Sequence, residues 1–74
     1  MEERYLNDES LPQELLAWIS KFYTAKNKNE SKSELFSIYE EIYWEAKDSW
    51  KFKEISYDKM RDVQNWFQEL SDDE

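Results

Sequence analysis

Apolar residues recur along this chain at three- and four-residue spacing, broken by two short polar stretches. Leu11, Leu15, Trp18, Ile19 and Phe22 share one face, with Leu16 and Tyr23 beside them and Gln13, Ser20, Lys21 and Thr24 opposite. This period predicts an amphipathic helix over residues 11–25. "SLPQ" reads as its capping box, with Ser10 as N-cap, Gln13 reaching back and Pro12 in the first turn. After the basic connection "KNKNE", "SKSE" opens a second helix over residues 32–49, capped by Ser31 and closed by Glu34. Leu35, Ile38, Tyr39, Ile42 and Ala46 form its buried stripe, which Phe36 and Tyr43 are expected to widen. Residues 50–55, "WKFKEI", have no helical pattern and read as a short extended connector with Phe52 and Ile55 tucked in. Ser56 then caps a third helix over residues 57–70, where Met60, Val63, Phe67 and Leu70 alternate by three and four and Trp66 flanks them.

The prediction is therefore all-α: one domain over residues 1–74, with three helices, a short N-terminal arm and a frayed acidic tail, "SDDE". Composition agrees. The 74 residues contain no Gly and one Pro, which disfavours the tight turns of β-hairpins. They contain no Cys and no His, so neither a disulfide nor the commonest zinc ligand is at hand to staple a small core. Four Trp, five Tyr and four Phe offer another staple, because each ring buries a large area. A second subunit would offer one more, and a homodimer is expected.

Charge narrows the partners. Eighteen acids against ten bases leave a net charge of −8. Phosphate attraction needs Lys and Arg, so direct binding to nucleic acid or to an anionic membrane is not expected. A basic partner is favoured by long-range steering. The acidic opening "MEERYLNDES" lacks the basic start and apolar run of a secretory signal, and no run approaches the roughly 20 apolar residues of a membrane span. A soluble, cytoplasmic protein is expected.

The acids are ordered. At about 100° per residue, Glu34, Glu41, Glu45 and Asp48 fall within roughly 60° of one another and extend over about 20 Å of helix axis. Asp58, Asp62 and Glu69 make a second row opposite Met60 and Phe67, which Asp73 would extend. Lys21, Lys26, Lys28 and Lys32 gather around the first connection and Lys51 and Lys53 in the second, while Lys59 and Arg61 only flank the third-helix row. Glu41 thus meets Glu45, and Asp58 meets Asp62, at the i,i+4 spacing where like charges destabilise a helix by about 0.2–0.5 kcal/mol. The simple account is a solvated acidic face. The alternative is use: carboxylates on a rigid helix imitate a nucleic-acid backbone, whose strands carry one charge per roughly 3.4 Å.

Trp44 stands apart from the other rings. It projects about 160 to 170° from the centre of the buried stripe. Either the arm or Trp50 covers it, or it anchors an interface. Catalysis has little to build on: nucleophile–base pairs need His or Cys, and no Gly-rich loop cradles phosphate. No metal or cofactor is expected, and a terminal acid run such as "SDDE" is usually only solvated. "QELL" (Gln13 to Leu16) and "QNWF" (Gln64 to Phe67) faintly match the Gln-plus-apolar peptides that dock on bacterial sliding clamps, but both lie within helical patterns.

A very short, acidic, Gly-poor, aromatic-rich chain with rows such as "EEIYWEAKD" resembles the small bacteriophage proteins that disable host DNA machinery, several of which are DNA mimics. The likeness is one of overall character rather than aligned residues. It implies a non-enzymatic inhibitor whose acidic rows enter the Lys/Arg-lined channel of a bacterial replication protein, above all the sliding clamp (the DNA polymerase III beta subunit), and block its loading onto DNA. The alternative is a helical adaptor or regulatory module that docks through exposed aromatics.

Overall fold

The computed structural model describes residues 3–72. Three α-helices account for most of them: α1, Gln13–Asn27; α2, Lys32–Lys51; and α3, Tyr57–Asp72, with no strand among the described residues. The tail expected to fray from Ser71 instead begins within α3: Ser71 is buried and Asp72 ends the helix, while Asp73 and Glu74 lie outside the described residues.

The helix starts separate into two kinds. Ser31 accepts the Glu34 N–H at 3.2 Å, and Ser56 accepts the Lys59 N–H at 3.1 Å, as their sequence contexts predict. Ser10 does not cap α1. Its backbone N–H and its hydroxyl both donate to Asp8 Oδ1, at 3.0 and 2.6 Å. The N-cap is Pro12, which makes no side-chain cap bond, and α1 starts two residues later than the apolar pattern does. Leu11 is buried all the same, so the pattern at that point marks the core rather than the helix.

α1 and α2 end the same way. Glu30 N–H donates to the Ala25 carbonyl and Asn29 N–H to Lys26; Glu54 N–H donates to Ser49 and Lys53 N–H to Trp50. These paired bonds are Schellman closures, which need a left-handed residue just past the helix. With no Gly in the chain, Asn29 (φ 60°) and Lys53 (φ 63°) fill those positions. The second closure also corrects the expected connector. Trp50 and Lys51 belong to α2, and Phe52 is 75% exposed rather than tucked in; only Ile55 reaches the core.

α2 packs against both α1 and α3, and at 20 residues it runs about 30 Å along a body of 34 × 19 × 17 Å. Its stripe of Leu35, Ile38, Tyr39, Ile42 and Ala46 is buried as predicted, but Phe36 is 46% exposed. No Cα of α1 lies within 8 Å of one in α3. Those helices meet through rings: Phe22 and Tyr23 stand edge-on to Phe67, with centroids 5.1 and 5.5 Å away. Gln64 is a buried polar residue that its position in an apolar stripe did not announce. Its amide donates to the Tyr43 carbonyl at 3.3 Å and its oxygen accepts from Arg61 at 3.2 Å, which satisfies both ends.

The arm lies across α1 and α3. The Tyr23 hydroxyl donates to the Arg4 carbonyl and accepts from the Trp66 indole N–H, both at 2.8 Å. The Arg4 guanidinium sits 4.9 Å from the Trp66 ring centre. Tyr5, at φ 71°, rests against Phe67. Asp8 pairs with Lys59 at 2.5 Å, and that contact, followed by the Ser10 hydroxyl, holds the Asp8 carboxyl down at about 2.

Two substitutions check this account. Tyr23→Phe keeps the ring contacts but strands the Trp66 N–H and the Arg4 carbonyl, and should lower stability by about 1–2 kcal/mol in urea denaturation. Lys53→Gly relieves the left-handed backbone and should raise stability by about 0.5–1 kcal/mol in the same assay.

Candidate functional site

α2 presents three different faces. One enters the core. A second carries Glu34, Glu41, Glu45 and Asp48 along the flank nearer α1. The third, facing away from the core, carries Trp44; Phe36 lies against Tyr39 at the edge of the buried stripe, and Trp50 packs on Tyr57 at the α3 side.

The acidic flank is unneutralised at contact range. Among the described residues the ion pair is Lys59–Asp8, in the arm, and no base lies within pairing distance of the α2 carboxylates. Glu34, Glu41 and Asp48 are exposed, while Glu45 is half-buried. Folding adds acids that helical periodicity within one segment cannot reveal. The first turn of α1 brings Glu14, placed where a helix N-terminus favours negative charge. The closure of α2 turns the chain back and brings Glu54. With Pro12, Gln13, Ser49 and Phe52, the carboxylates Glu14, Glu45, Asp48 and Glu54 line a cleft of about 540 Å³. Burial, then the neighbouring charges of Glu14, Asp48 and Glu41, push the Glu45 carboxyl up from its ordinary range.

The second row is elsewhere. Asp58, Asp62 and Glu69 are exposed on α3, and Asp62 and Glu69 border a groove shared with Arg4, Tyr5, Asn65 and Trp66. This row therefore has the arm and its Arg4 beside it, whereas the α2 row has the start of α1. The fold joins the α2 row to Glu14 and Glu54 and keeps it apart from the α3 row.

Trp44 is 55% exposed. Its ring stands edge-on to Tyr43 at 5.3 Å, and the Lys47 ammonium lies 5.2 Å from its centre. Neither the arm nor Trp50 covers it; Trp50 instead packs on Tyr57 at 5.4 Å. In the two clamp-like stretches, Leu15, Gln64 and Phe67 are buried and committed to the core. No group of three or more Asp or Glu side chains among the described residues is close enough together to hold a metal ion. No helix formed by them is long and apolar enough to cross a membrane.

No protein-family model matches this chain, and neither a curated protein nor a solved structure is significantly similar to it.

The raised Glu45 carboxyl has a definite stability consequence. The folded state holds this proton more tightly than the unfolded chain, whose value is near 4.5, so Glu45 weakens the fold as pH rises through its folded range. Glu45→Gln should therefore raise the thermal midpoint near pH 7. The gain should disappear below about pH 4, where both states are protonated, as scanning calorimetry at the two pH values would read.

Proposed function

We propose that this protein is a non-enzymatic charge mimic: it occupies the Lys/Arg-lined DNA-binding surface of a bacterial DNA-handling protein and so keeps DNA out. The sliding clamp, the target implied by the resemblance, is the first partner to test. The supporting observation is the α2 flank. Glu34, Glu41, Glu45 and Asp48 stand in a row on a rigid helix, joined by Glu14 and Glu54, and no described base pairs with them at contact range. Like charges held together this way repel one another in the free protein. A basic surface would remove that repulsion on binding, so the free energy lost in the isolated fold is recovered in the complex. The α3 row of Asp58, Asp62 and Glu69 serves as a second, separate charged surface.

In this reading the protein acts as a homodimer in the bacterial cytoplasm, with Trp44 as anchor between copies. An exposed indole on a helix face has the area and the rigidity that interface anchors need. A second reading, that of an adaptor, rests on the exposed aromatics. Phe36, Trp44, Trp50, Phe52 and Tyr57 are all exposed, and they could dock a protein partner through apolar contact while charge served solubility alone.

Salt and DNA separate these readings. With purified clamp, charge mimicry requires affinity to fall steeply between about 50 and 200 mM salt, and requires DNA to compete for the site. Glu41→Lys/Glu45→Lys should abolish binding, whereas Trp44→Ala should reduce dimer formation. Affinity that ignores salt and DNA, together with full binding by the charge-reversed variant, would overturn the mimic in favour of the adaptor.

A further inference from the structure

The cleft between the start of α1 and the end of α2 has features that a merely acidic patch lacks. Its carboxylates are spread around a space of about 540 Å³, and among the described residues they do not converge on a point as metal ligands would. A small hard cation needs several oxygens at one centre. An elongated organic cation does not, because its donors are spread as well. Ser49 lies in the lining and is only 4% exposed, yet it makes no side-chain hydrogen bond within the described structure. No sealed polar side-chain atom is left unpaired among the described residues, so the Ser49 hydroxyl is not shut off from solvent, and as a lining residue Ser49 can offer an acceptor to an occupant of the cleft. Phe52 supplies the apolar wall. A Schellman closure holds it in the lining at 75% exposure, where burial in the core gives it no role.

We propose that this cleft is a receptor for an arginine side chain of the protein partner. The guanidinium is planar and carries five donors in a fixed fork, matching carboxylates on facing walls, and it stacks on an aromatic ring more readily than an ammonium does. Glu45 and Asp48 from α2 would accept from its edge, Glu14 and Glu54 would close the sides, Ser49 would accept at the floor and Phe52 would cover the face. The proposal rests on the charge-mimic reading and sharpens it: one basic side chain of the partner enters a shaped pocket, while the others meet an open field of charge.

The test uses the free protein and a small probe, N-acetyl-arginine amide, followed by NMR titration. Saturable shifts should be confined to Glu14, Glu45, Asp48, Ser49, Phe52 and Glu54. N-acetyl-lysine amide should bind more weakly. Glu45→Gln should weaken arginine binding about tenfold and Ser49→Ala about threefold, the effects of losing a charge-assisted and a neutral hydrogen bond. Glu30→Gln, which removes one exposed charge from the α1–α2 connection, should leave binding within about twofold; circular dichroism confirms that each variant folds. Shifts that spread over all the carboxylates without saturating, or equal weakening by Glu30→Gln and Glu45→Gln, would overturn the pocket. Tighter binding of spermidine than of the arginine probe would overturn it in favour of a free polyamine. If the pocket fails while the partner is still displaced by DNA, charge mimicry stands without it. If arginine binds but the partner ignores DNA and salt, mimicry falls and the pocket remains.

Discussion

The contact between the two outer helices is made chiefly by rings. Phe22 and Tyr23 on α1 meet Phe67 on α3 across a gap that their backbones do not close. In a 74-residue chain with no disulfide, this junction does what cross-links do in other small domains. Its polar end matters as much as its apolar body. The Tyr23 hydroxyl bridges the Arg4 carbonyl and the Trp66 indole, so one side chain ties the arm, α1 and α3 together. Because rings fill the middle, α2 needs only one face for the core. Its other two faces are free to carry a row of charge on one side and the exposed Trp44 on the other.

That division gives α2 its functional interest. A helix whose entire solvent side alternated Glu and Lys would be soluble and inert. Here the acids collect on the α1 flank, and folding adds Glu14 and Glu54 to them from outside the helix. Trp44 stands on the side turned away, where it touches only Tyr43 and Lys47 among the ring and cation contacts. Two kinds of surface on one rigid element allow two kinds of contact at once, one steered by charge and one by apolar area.

How far the sequence revealed this depends on the range of the signal. The three helices, the Ser31 and Ser56 caps and the α2 stripe were all legible, because each is written within one turn or one heptad. Ser10 misled because Asp8, two residues upstream, competes for it, and a capping pattern does not show which partner wins. Phe52 misled because a Schellman closure without Gly looks like an ordinary polar–apolar connector until the left-handed residue is seen. Phe36 was read as core because it lies beside the stripe, but packing reaches only as far as the neighbouring helix. Glu34, Glu41, Glu45 and Asp48 were legible as a row; Glu14, Ser49 and Glu54 were not legible as their neighbours. Their nearness is created by the turn of the chain, and no periodicity within a segment encodes it. The only hint was Glu14 in a first turn, a position acids favour for reasons of the helix itself.

The clasp between arm and α3 also orders events in time. Contacts of α1 with α2, and of α2 with α3, join segments adjacent in the chain and close short loops. Arg4 on Trp66 and Tyr5 on Phe67 join the two ends, across about sixty residues, and the entropy of closing a loop grows with its length. The helices can therefore assemble from local contacts, but the ring of the fold shuts only when the arm arrives. A short strap held by one bridging hydroxyl, one ion pair and two cation–ring contacts is thus the seam of the molecule, where local opening separates from global unfolding.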